Sequence, residues 1–69
     1  MENRFKNILK SLRLEKGLGQ AGLAKNLGVS IGVISLWENG LREPSMTSLI
    51  LIATYFGVSL DFLVGLKDY

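Results

Sequence analysis

Cysteine and histidine are both absent from this 69-residue chain, and the two absences remove most of the chemistry a small protein can carry. Without thiols there is no disulfide, no thiolate metal site and no redox couple. Without imidazole there is no Ser-His or Cys-His nucleophile pair and no histidine-ligated metal. No metal and no cofactor are expected. A domain without cysteine holds by packing alone, which fits a reducing cytosol. Long apolar runs are missing too. The richest, Leu49 to Ala53, falls far short of the roughly 20 residues a membrane span needs. The opening MENRFKNILKSLRLEKG is charged throughout and lacks the apolar stretch of a secretory signal. The expectation is a soluble, cytoplasmic protein with no membrane partner. Glu38, Glu43 and Asp61 show no paired-carboxylate pattern, Ser30 and Ser35 lack a base, and the glycines form neither a P-loop nor a dinucleotide fingerprint. An enzyme is not expected.

The single proline, Pro44, marks a turn rather than a boundary, and no repeat, low-complexity tract or linker interrupts the chain. With 48% hydrophobic residues, residues 1–69 are expected to form one domain, at a size where folding buries about 60% of the unfolded surface. Net charge is only +2, but it is unevenly placed. Arg4, Lys6, Lys10, Arg13, Lys16 and Lys25 face only Glu2 and Glu15 in the first 25 residues, whereas residues 26–66 hold Arg42 against Glu38, Glu43 and Asp61. So mild an excess is ordinary for a solvated surface, and charge alone does not indicate a nucleic-acid partner.

Apolar spacing predicts five short helices. Phe5, Leu9 and Leu12 fall at i, i+4 and i+7 in a helix from Asn3 to Lys16 that stops at Gly17. Leu23, Ala24 and Leu27 line a second helix, Gln20 to Leu27, closed by Gly28. Ser30 caps a third, Ile31 to Glu38, with Val33, Ile34 and Trp37 at core spacing. After the turn LREPS, a fourth helix runs from Met46 to Phe56 with Met46, Leu49, Ile50, Ala53 and Phe56 toward the core. Ser59 caps a fifth segment, apolar at Leu60, Leu63 and Val64, that ends at Gly65. No strand is needed, and the class is all-α.

The stretch QAGLAKNLGVSIGVISLWENG, residues 20–40, with FKNILKSLR before it and REPSMTSLILIATYFGVSLDFLVG after it, resembles the helix-turn-helix of the Cro/CI, or XRE, family. Gln20, Leu23, Ala24, Gly28, Val29, Ile34, Trp37, Glu38 and Gly40 carry the match. The resemblance implies a five-helix, lambda-repressor-like fold with the motif in helices two and three. It also implies a transcriptional regulator, such as a repressor, that binds double-stranded DNA as a homodimer. Physical reasons for several of these residues stand without it. Two helices crossing steeply over a short turn need a small residue at their closest approach, Ala24, and a turn residue free to take positive φ, Gly28. Arg13 and Glu38 are similar to the family's arginine–glutamate pair linking helix one to helix three.

By the same resemblance the third helix enters the major groove. The DNA-contacting set is then Gln20, Ser30, Ile31, Gly32, Ser35, Leu36, Asn39 and Arg42, with base reading by Ile31, Gly32, Ser35, Leu36 and Asn39. Gln20, Asn39, Gly40 and Arg42 fall at phosphate or helix-positioning sites. A helical wheel turns Gly32, Ser35, Leu36 and Asn39 outward and Ser30, Val33, Ile34 and Trp37 inward, with Ile31 at the margin.

The outward face departs from the family pattern, because it carries no charge where Arg, Lys, Asn and Gln usually read bases. Family members commonly have basic or polar residues where this chain has Ile31 and Leu36, and a lysine where it has Leu41. Lys25 and Arg42 are the basic residues expected near the motif, with Arg4, Lys6 and Lys10 on helix one expected to fall short of it. Gly19 and Gly22 stand where the family places a reciprocal capping box. Its loss is expected to cost about 1 kcal/mol, and a helical glycine about 1 more, with a similar penalty at Gly32.

Ile8, Leu14, Ile31, Leu36, Leu41, Leu51 and Phe62 are apolar at positions expected to be exposed. Ile31, Leu36 and Leu41 together form a candidate patch, and a second reading of the chain is a protein-interaction or self-association module using that face. Under the first reading, dimerisation is expected on helix five, with Phe62 and Leu66 outward.

Overall fold

Serine hydroxyls open three of the helices, and a left-handed glycine follows each of the first four helices, at Gly17, Gly28, Gly40 and Gly57. A computed structural model describes residues 4–68 and places α1 at Phe5–Glu15, α2 at Gln20–Leu27, α3 at Ile31–Glu38, α4 at Met46–Phe56 and α5 at Leu60–Leu63. No strand occurs among the described residues. The middle three helices have the expected bounds. Asn3, the expected start of the first, lies outside the described residues, and α5 stops two residues before Gly65.

Ser30, Ser45 and Ser59 each accept a hydrogen bond from the backbone N–H three residues on, at 3.2, 3.1 and 3.0 Å, which satisfies one of the donors a helix start leaves orphaned. At the far ends, Gly28 and Gly57 take φ of +73° and +69°. In each case the next residue's N–H then reaches back five positions, Val29 to Ala24 and Val58 to Ala53, both at 3.0 Å. These are Schellman closures, and Val29 and Val58 pack against the core in the manner such closures favour.

The centre is built from one fully buried aliphatic side chain per helix: Leu9, Leu23, Ile34, Ile52 and Leu63. Phe5 and Trp37 add an edge-to-face pair at 6.5 Å, tying α1 to α3. On the opposite side Asn26 Nδ2 donates to Tyr55 Oη at 2.8 Å, and Lys16 Nζ stands 5.3 Å from the Tyr55 ring centroid, which pins α4 to the rest.

The core face of α4 differs from the one expected. Ile52 and Ala53 are buried and Leu49 and Phe56 pack against the core, whereas Met46 and Ile50 are 69% and 51% exposed. In the helix MTSLILIATYF the apolar residues other than Leu51 span an arc of roughly 160° at 100° per residue, opposite Thr47, Ser48, Thr54 and Tyr55. That arc is wider than the stripe the neighbouring helices cover, and only those neighbours select 49, 52, 53 and 56 within it. Ile8 and Phe62, expected outside, are partly buried against the core. Ser30, expected inside, is exposed, because an N-cap hydroxyl must fold back over its own first turn.

Candidate nucleic-acid interface

The corner between α2 and α3 follows from residue size. Ala24, 4% exposed, lets the two helices approach, Gly28 turns the chain, and Ile34 and Trp37 close the corner from the far side. With Ile34, Trp37 and Glu38 committed inward, the opposite face of α3 looks to solvent. Ile31, Gly32 and Asn39 are exposed there, and Ser35 and Leu36 are half-buried. Arg42 is exposed in the turn that follows.

Below this face lies a buried charge cluster. Arg13 Nε donates to Glu38 Oε2 at 2.7 Å and Arg13 Nη2 to Glu38 Oε1 at 2.9 Å, a bidentate fork between side chains only 8% and 3% exposed. The third arm, Nη1, donates to the Leu18 carbonyl at 2.8 Å. Gln20 Nε2 donates to Glu38 Oε1 at 3.1 Å. The carboxylate at the last residue of α3 therefore holds α1, the α1–α2 turn and the first residue of α2 in one network. Burial alone pushes the Glu38 carboxyl up, but the hydrogen bonds from Arg13 and Gln20, and the charges of Arg13 and Lys10, outweigh it and hold the group below its ordinary value. The Glu38 hydrogen bond likewise keeps the Arg13 guanidinium above its usual value, against the effect of burial.

The residues named from the sequence divide by geometry. Gln20 turns its amide nitrogen to Glu38 and so fixes the start of α2. Ser30 serves as the cap of α3. Ile31, Gly32, Ser35, Leu36 and Asn39 share one side of α3. Asn39 Nδ2 donates to the Ser35 carbonyl at 2.8 Å and lies 3.3 Å from Ser35 Oγ. While that arrangement holds, the asparagine offers only its oxygen outward and cannot make the two-bond pairing with adenine. Ile31 and Leu41 are 52% and 74% exposed, one at each end of α3, and Leu36 between them is half-buried.

Two features escaped the sequence reading. The Ser45 cap was hidden within a stretch read as a turn. Lys6, set apart from the motif on helix one, runs along Gly40 at the exit of α3. The spacing of Lys6, Lys10 and Arg13 at i, i+4 and i+7 was the available signal for the second.

The helix-turn-helix family matches residues 9–63. The chain belongs to that family, of the Cro/CI or XRE type. It is 43% identical over 64 residues to an uncharacterized HTH-type transcriptional regulator of Methanocaldococcus jannaschii, covering 93% of this chain and 97% of that protein. It is also 43% identical over 61 residues to the HTH-type transcriptional activator BcrR of Enterococcus faecalis, covering 88% of this chain and 30% of the activator. Among solved structures, a transcriptional regulator from Listeria innocua superposes with a TM-score of 0.86 at 34% identity, over 94% of this chain and 61% of that one. The chain thus spans less than two thirds of the length of the activator and of the Listeria protein. The expected family and the five-helix, all-α fold both hold. No helix among the described residues is long and apolar enough to cross a membrane.

Proposed function

We propose that this helix-turn-helix chain is a cytoplasmic transcriptional regulator that binds double-stranded DNA with α3 in the major groove. The observation that carries the reading is the free side of α3: the Arg13–Glu38–Gln20 network and the Ile34–Trp37 packing consume the inner face, leaving Ile31, Gly32, Ser35, Leu36 and Asn39 to meet base edges. Gln20, Ser30 and Arg42 flank that row, at the start of α2, the start of α3 and the turn beyond it, where backbone phosphates run. The face reads bases through apolar contact with thymine methyls and through the polar groups of Ser35 and Asn39. Discrimination by such contacts is modest, so the phosphate contribution has to supply much of the affinity.

A homodimer reading two half-sites about 34–36 Å apart is part of the proposal. Phe62 is partly buried against the core and offers less of that surface than Leu66, which is 75% exposed. A role as a protein-interaction module through the α3 face has less support, since the two relatives and the solved structure described above all carry the name of transcriptional regulator or activator.

The test is a fluorescence-anisotropy titration of the purified protein against labelled mixed-sequence duplex at low and moderate salt, with sedimentation alongside. Binding that weakens steeply with salt is the expected result. A folded protein that self-associates and leaves the duplex unbound at low salt overturns the reading in favour of the interaction module.

A further inference from the structure

Lys6, Lys10 and Arg13 fall within about 60° of one another around α1 at 100° per residue, and contacts to α3 fix where that row points. Arg13 is bonded to Glu38, the last residue of α3. Lys10, one turn earlier, is close enough for its charge to act on the same carboxylate, and it is exposed. Lys6, a further turn back, lies against Gly40: a Cβ placed on that glycine would come 3.0 Å from Lys6 Cδ and 3.5 Å from its Nζ. The ammonium of Lys6 therefore sits beside the turn leaving α3, two residues before the exposed Arg42. Arg4 does not join the row, since its guanidinium donates to the Gly65 carbonyl at 3.2 Å and faces Asp68 at 3.6 Å.

We propose that Lys6 and Lys10 are phosphate-contacting residues of the DNA interface and form, with Arg42, a basic wall at the C-terminal end of α3. This rests on the reading of α3 as the groove helix. The need for such a wall comes from α3 itself, which has no Lys or Arg, while the carbonyl end of a helix carries negative partial charge that repels a phosphate strand. A helix in a groove about 12 Å wide has a phosphate backbone on either side, and cations carried by α1 beside its exit neutralise that strand without entering the groove. Gly40 has two roles under this arrangement. Its φ of +71° makes the turn, and its missing side chain leaves the shelf along which Lys6 lies. These contacts position the protein and carry no sequence information, so the wall raises affinity for any duplex.

The experiment measures the salt dependence of binding by the full chain to a labelled mixed-sequence duplex for Lys6→Gln, Lys10→Gln, Arg42→Gln and, as a charge control, Lys67→Gln, which alters a residue paired with Asp61 at 3.7 Å on α5. Each of the first three is expected to flatten the slope of log K against log salt by about 0.9, so that its deficit shrinks roughly 3.5-fold for a fourfold rise in salt. The control should keep the parent slope. A purely structural role for Lys6 would alter the thermal midpoint and leave the slope unchanged, and Lys10→Gln, at an exposed site, supplies an independent reading should Lys6→Gln unfold. If the parent binds and Arg42→Gln flattens the slope while both α1 variants keep it, the wall is refuted and the groove reading survives. Equal flattening by the Lys67 control also refutes it, since only net charge would then matter. If the parent leaves DNA unbound at low salt, both proposals fall together.

Discussion

Replacing Arg13 by methionine removes three hydrogen bonds at once: two to Glu38 and one to the Leu18 carbonyl. The Glu38 side chain, 3% exposed, then keeps a buried charge with Gln20 as its remaining hydrogen-bond donor. Stranding one partner of a buried pair costs about 3–5 kcal/mol, and a core of this size supplies roughly 3–5 kcal/mol in total. Arg13→Met is therefore expected to be largely unfolded even without denaturant. Glu38→Leu should lose about as much, because the guanidinium is left buried with only the Leu18 carbonyl. The double variant Arg13→Met/Glu38→Leu carries no stranded charge. Its residual cost is the unpaired Leu18 carbonyl and the released Gln20 amide, which is half-buried and reaches water, together roughly 1–2 kcal/mol. The double variant should consequently be more stable than either single one. Urea denaturation followed by fluorescence of Trp37, the only tryptophan and 4% exposed, measures all four proteins. Additive losses in the double variant, or a loss below about 1 kcal/mol in Arg13→Met, would refute the claim that the fork is a desolvated pair.

The same pair sets a pH dependence. The Glu38 carboxyl is held below its ordinary value in the folded chain, so the stabilisation it gives is complete above the unfolded carboxylate pKa of about 4.3 and is lost as pH falls through the lower folded value. Acid titration of Trp37 fluorescence should show this loss, and the Arg13→Met/Glu38→Leu double variant, which has neither the titrating carboxyl nor a stranded charge, should lack that component of it. Gly32→Ala should stabilise by about 0.5–1 kcal/mol in thermal melts, since a Cβ there meets only Ser30 Oγ at 3.9 Å; a loss would place Gly32 under a constraint beyond helix propensity. Gly19→Ser should gain only a few tenths of a kcal/mol, less than the missing capping box first suggests, because glycine is itself tolerated at an N-cap and this one already has the extended φ and ψ of −77° and 172°. Leu36→Lys should steepen the salt slope of DNA binding by about one ion, and an unchanged slope in the anisotropy titration would remove α3 from the groove.

Local chemistry made much of the fold legible in advance. Ser30 and Ser59 as caps, Gly28 as a left-handed exit and the spacing of Leu23, Ala24 and Leu27 are one-turn effects, governed by hydrogen bonds and φ angles within four or five residues, and they set the end of α2 and the starts of α3 and α5. The motif of residues 20–40 carried the family for the same reason, since a tight corner constrains residue size at fixed intervals. What the neighbours decide was not readable. The apolar arc of α4 is wider than the stripe its neighbours cover, and only contact with α2 and α5 buries Ile52 and exposes Met46. Phe62 turns inward because α1 and α5 meet, not because of its own helix. Lys6 reaches Gly40 across 34 residues of chain, and Gln20 turns to Glu38 across 18. The sequence by itself thus determined where α2, α3 and α4 start and stop and which family the corner belongs to. Tertiary packing alone decided which part of the apolar arc of α4 is inside, that Ile8 and Phe62 turn inward, and which charges stand together beside α3, because proximity between distant segments is created only when the helices are docked.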